Sequence, residues 1–100
     1  MILDDEIFYQ DAILYLFKKK KTGFLTTETI LKEIRFQKAV NPKEDKERLD
    51  FILERMRESG WVVLNQPKLA AISPEGKEKI EKLSEERMTE IQKKLDERLT

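Results

Sequence analysis

Residues 49–83 read LDFILERMRESGWVVLNQPKLAAISPEGKEKIEKL, and the order of signals in this stretch decides the fold. Leu49, Ile52, Leu53 and Met56 recur at i, i+3, i+4 and i+7, the spacing of one face of a helix. Ser59-Gly60 ends that helix, because glycine takes the left-handed cap without steric cost. Trp61-Val62-Val63-Leu64 is β-branched and aromatic, and Leu69-Ala70-Ala71-Ile72 is a second apolar run. With the turn residues Asn65-Gln66-Pro67-Lys68 between them, the two runs read as a β-hairpin. Ser73-Pro74-Glu75 then joins an N-cap hydroxyl to a proline suited to the first helical position. The pattern carries that last helix to about Arg98, with an apolar stripe of Ile80, Leu83, Met88, Ile91 and Leu95 that continues to Leu99.

Upstream, Asn41-Pro42-Lys43-Glu44 is a strong start for the helix that carries Leu49: Asn41 caps, Pro42 fits the first position and Glu44 reaches back to the cap amide. A second helix is expected from the threonines after Phe24-Leu25-Thr26 to about Lys38, with Ile30, Leu31 and Ile34 inward; Phe24-Leu25-Thr26 itself leans to strand. From Asp4 to Lys21, Ile7, Phe8, Ala12, Leu14, Tyr15 and Phe17 keep helical spacing. Ile13 and Leu16 widen the stripe, so this first helix is expected to be buried on more than one side. Lys18 to Lys21 close it as solvated cations at the negative end of the helix dipole, and Gly23 allows the chain to turn. The fold class is therefore mainly α with a small β-hairpin (α+β). The order helix, short strand, helix, helix, hairpin, helix is that of a winged helix-turn-helix with a long C-terminal helix, in which the hairpin is the wing.

One hundred residues fit a single domain over 1–100, with 84–100 as a helical extension. An apolar fraction of 39% beside a charged fraction of 40% describes a globule with a heavily charged surface. Lys plus Arg equal Asp plus Glu at 20 each, so any attraction to a polyanion must be local. Cysteine and histidine are absent, which removes disulfides, thiolate or imidazole metal sites and the commonest nucleophiles and bases; no glycine-rich phosphate loop is present either. Asp4-Asp5, Glu44-Asp45 and Glu85-Glu86 lie in strongly polar stretches, where solvated carboxylates are the expectation. The expected protein is not an enzyme and carries no cofactor and no metal. The acidic start, Asp4-Asp5-Glu6, is unlike a signal peptide and no apolar run spans a membrane, so a cytoplasmic protein with no membrane partner is expected.

Ile72-Ser73-Pro74-Glu75-Gly76-Lys77 is similar to the (L/I)(T/S)-x-x-G-(K/R/E) stretch that follows the wing in MarR-like and PadR-like winged-helix regulators, and Leu53 to Val62 resembles their L-x-x-x-G-x-(I/V) helix end. By pattern the resemblance covers about two thirds of the chain, and the layout is also similar to that of small archaeal and archaeal-virus winged-helix proteins. It implies a fold more firmly than an activity. The activity it implies is that of a transcriptional regulator that binds double-stranded DNA as a dimer. Arg35, Lys38, Lys43, Lys46 and Arg48 would then neutralise phosphates, Gln37 or Lys43 would touch base edges, and Asn65, Gln66 and Lys68 would bring the wing to the minor groove.

The third helix also carries charge that opposes this expectation. With Leu49, Ile52, Leu53 and Met56 inward, helical geometry turns Lys43, Glu47, Asp50 and Glu54 outward, a largely acidic face. The alternative class is a winged helix that binds a protein partner and no DNA. The last helix has two readings as well. Its stripe of Met88, Ile91, Leu95 and Leu99 packs against a twofold mate in a homodimer, placing two recognition helices ~34 Å apart, or it folds back onto its own domain.

Overall fold

A computed structural model describes residues 6–34, 42–65 and 69–99. The elements in chain order are α1 (Glu6–Lys19), β1 (Phe24–Thr26), α2 (Thr27–Glu33), α3 (Pro42–Glu58), β2 (Val62–Asn65), β3 (Leu69–Ile72), α4 (Pro74–Glu81) and α5 (Glu85–Leu99). The described chain is thus mainly helical with a small antiparallel sheet. None of its helices is long and apolar enough to cross a membrane.

The centre of the fold is α1, whose Phe8, Tyr9, Ala12, Ile13, Leu14, Leu16 and Phe17 are all buried. Residues so spaced cover most of the helix circumference, and α1 accordingly packs against α3, α4 and α5. The same core takes Leu25, Ile30 and Ile34, the α3 stripe of Leu49, Ile52, Leu53 and Met56, and Val62 with Ala70 from the sheet. At its C-terminal end α1 closes with amide bonds from Lys21 to the Lys18 carbonyl and from Thr22 to the Phe17 carbonyl, each 3.2 Å. This is the pairing that needs a left-handed residue at the helix end. That residue is Lys21, at φ 51, and not the glycine expected to make the turn.

The sheet has the order β1-β3-β2, both pairs antiparallel. The expected hairpin is present as β2 and β3, beginning at Val62 rather than Trp61, and β1 adds a third strand to it. Opposite Ala71 stand Phe24 on one side and Val63 on the other. Alternation along the strands sends Leu25, Ala70 and Leu64 to the core side and the row Phe24, Ala71, Val63 to the outer side.

Two expectations about helix length are corrected. The second helix stops at Glu33, where Ile34 turns to extended backbone at φ −118 and ψ 118. Ile34 is fully buried, so core packing claims a β-branched side chain that also favours extended backbone. The last helix is two helices. Lys82 caps α4, and Ser84 starts α5 by accepting from the Arg87 amide through its hydroxyl and from the Met88 amide through its carbonyl, both at 3.0 Å.

That break redirects α5 onto α1. Ile91 is 0% and Leu95 3% exposed, both inside the chain's own core. Polar contacts fix the same docking: the Arg87 guanidinium donates to Asp11 Oδ2 from Nη2 at 3.0 Å and from Nε at 3.1 Å, and the Tyr15 hydroxyl donates to Gln92 Oε1 at 2.8 Å. Two of the four side chains expected to meet a twofold mate, Ile91 and Leu95, therefore pack in the core with α1, and a third, Met88, is half-buried. The Leu99 side chain lies outside what is described.

Candidate nucleic-acid interface

The start of α3 carries three of the four expected DNA-binding residues that lie within the described chain, Lys43, Lys46 and Arg48. Pro42 occupies its first turn together with the acidic Glu44 and Asp45, whose charge suits the positive end of the helix dipole. One Asp45 oxygen, Oδ1, is buried without a hydrogen-bond partner. The four buried residues Leu49, Ile52, Leu53 and Met56 set the helix rotation, leaving Lys43, Lys46, Glu47 and Asp50 exposed and Arg48 half-buried. Glu54, expected on the open face, is half-buried and engaged by Arg57.

The charges of α3 divide along its length. Toward the C-terminal end both arginines are paired. Arg55 donates from Nε to Glu6 Oε1 at 2.8 Å, stands 3.7 Å from Glu58, and lies over the Phe51 ring with 5.8 Å to its centroid. Arg57 donates from Nε to Glu54 Oε1 at 2.7 Å. That hydrogen bond, more than the charge of Arg57, holds the Glu54 carboxyl below its ordinary range, while the Glu6 and Glu54 carboxylates raise Arg55 and Arg57. At the N-terminal end Lys43 and Lys46 have no carboxylate partner among the described residues.

Asn65 is exposed at the end of β2, beside the start of β3 at Leu69. Arg35, Gln37, Lys38, Gln66 and Lys68 lie outside the described residues. The expected DNA-binding residues that the structure places are therefore Lys43 and Lys46 together on one open helix face, Arg48 on its flank, and Asn65 on the hairpin. Among the described residues no three of Asp, Glu, His or Cys gather as a metal site would require.

The outer row of the sheet is a feature that the sequence alone does not reveal. Phe24 is 59% and Val63 49% exposed, an apolar pair flanking Ala71 across three strands. The alternation of Phe24, Leu25 and Thr26 is the one signal that points to it, and three residues are too few to show which strand they join. Set against protein-family models, curated proteins and solved structures, the chain finds no match in any of the three comparisons.

Proposed function

We propose that this chain is a winged-helix module that binds double-stranded DNA as a cytoplasmic transcriptional regulator, without catalysis, cofactor or metal. The observation that carries the reading is the division of charge on α3. Lys43 and Lys46 stand open, with no carboxylate partner among the described residues, where a recognition helix approaches phosphates, whereas Arg55 and Arg57 are neutralised at the far end. The order α1-β1-α2-α3-β2-β3 and a sheet with β3 central support the winged-helix reading, and the MarR-like and PadR-like resemblance of residues 49–83 agrees with it. Binding as a homodimer belongs to the same proposal, through faces other than the buried Ile91 and Leu95.

The deciding experiment is a fluorescence-anisotropy titration against own-promoter and random duplexes at low and moderate salt, with Lys43→Glu/Lys46→Glu as the comparison. Salt-sensitive binding that prefers the promoter and is lost in the folded double variant supports the regulator. Absence of binding at low salt overturns it.

A second reading, an adaptor that binds a protein partner, is favoured by two observations: Glu47 and Asp50 share the open face with the lysines, and the Phe24, Ala71, Val63 row is apolar and uncovered. Phosphates repel the first, and an interface core would use the second.

A further inference from the structure

Between the C-terminal end of α1, the start of β1 and α4 lies an open hollow of about 390 Å³. Its floor is apolar, formed by Phe17, Ile72 and Ile80, and its rim carries Lys18, Lys21 and Lys77. The charged residues of its lining are these three lysines and Glu81, so the lining carries a formal net charge of plus two in a chain whose total is zero. Register places the hollow at the Phe24 and Ile72 end of the sheet, opposite the Asn65 and Leu69 end that the nucleic-acid reading uses.

Lysines at a helix C-terminus ordinarily serve the helix dipole. Here the carbonyls that would receive them are already occupied: Leu16 accepts from the Lys20 amide at 2.9 Å, and Phe17 and Lys18 accept from Thr22 and Lys21. The neighbouring side chains are engaged too, Lys20 with Glu33 at 3.1 Å and Lys19 with Gln92 at 3.2 Å. Lys18, Lys21 and Lys77 have no ion-pair partner among the described residues. Lys21 also holds a left-handed backbone conformation at φ 51, where glycine would be free of steric cost.

We infer that this hollow binds a small amphipathic anion, its apolar body on Phe17, Ile72 and Ile80 and its carboxylate among Lys18, Lys21 and Lys77. A volume of this size takes about a dozen water-sized groups, the scale of a medium-chain carboxylate. Desolvating the chain on the floor and pairing the head at the rim are separate contributions, so neither an alcohol of equal length nor a short carboxylate satisfies the site alone.

The test is an amide-resonance titration of the full chain with octanoate, with octanol and acetate as controls. Octanoate shifts Thr22, Gly23, Ile72 and Lys77 saturably, with a midpoint below about 1 mM, and each control binds at least about ten-fold more weakly. Lys21→Gly separates loss of binding from loss of fold: it removes one rim cation while relieving the backbone, so the melting temperature rises and octanoate affinity falls about three-fold or more. Lys21→Gly/Lys77→Gln lowers affinity about ten-fold, with the dispersion of the amide spectrum kept. Equal binding of octanol, equal binding of acetate, shifts centred elsewhere, or no saturable shift at millimolar octanoate would each overturn the site.

Discussion

Gly76 in α4 lies so close to Trp61 that a Cβ there would overlap the Trp61 carbonyl oxygen and stand 3.0 Å from its carbonyl carbon. The approach is held from both sides. Ser73 caps α4 by accepting from the Gly76 amide at 2.9 Å, donates its hydroxyl to the Gly60 carbonyl, and donates its own amide to the Trp61 carbonyl at 3.0 Å. The Ser-Pro-Glu-Gly stretch is thus the joint between the end of α3 and the start of α4, and Lys79 covers it with its ammonium 5.1 Å from the Trp61 ring centroid.

Gly76→Ala is therefore expected to destabilise by about 3 kcal/mol, the upper end for a clash that backbone rather than a flexible side chain must absorb. Gly23→Ala is the control, since its Cβ would meet Ile72 Cγ2 at an ordinary 3.8 Å. Paired thermal melts read both: a fall of the order of 10 °C or more for Gly76→Ala and little change for Gly23→Ala. Equal melting temperatures would contradict the close approach.

Because Ile91 and Leu95 are interior, their replacement acts on folding before assembly. Ile91→Ala is expected to cost about 3 kcal/mol, from the transfer energy of the missing atoms and the cavity left behind. Ile91→Lys/Leu95→Lys should lose the helical circular-dichroism signal. A double lysine variant that remains folded and sediments as a smaller species would instead restore the twofold interface.

Alkaline pH should weaken the docking of α5. Burial, and then the charge of Asp96, push the Tyr15 hydroxyl above its ordinary 10.0. The folded chain then holds this proton more tightly than the unfolded one, so the stability it carries is complete below pH 10 and is lost as pH rises through the folded value. Denaturant midpoints from neutral to strongly alkaline pH should fall for the wild type, with a shallower fall in Tyr15→Phe. Identical slopes would remove Tyr15 from the account.

If α3 meets phosphates through Lys43 and Lys46, removing both charges with Lys43→Gln/Lys46→Gln should flatten the dependence of log binding constant on log salt by about 1.8, at roughly 0.9 for each phosphate that is no longer neutralised. Anisotropy titrations over a salt series measure it. An unchanged slope with unchanged affinity would take both lysines off the interface.

Much of this architecture is written in local patterns. The α3 stripe from Leu49 to Met56, the left-handed Gly60 at φ 81, the paired runs of β2 and β3, and the Ser73 cap with its following proline each depend on residues a few positions apart. Neighbours along the chain are enough to specify them. The open lysines at the start of α3 follow as well, because burying the four apolar residues leaves only one rotation of the helix.

What tertiary structure alone decided is where those elements are spent. Leu83 and Met88 keep apolar positions across residues 82–84, so the pattern does not reveal that α4 ends and α5 begins there, nor that Ile91 and Leu95 serve α1 rather than a second chain. β1 is three residues long, and its place beside β3 depends on residues more than forty positions away. The left-handed Lys21 follows from the geometry that closes α1, and the three rim lysines around Phe17, Ile72 and Ile80 meet only once α4 is docked. Local sequence governs hydrogen bonds within a turn of helix or a strand pair; which apolar face covers which is a competition over the whole chain, and only the folded packing resolves it.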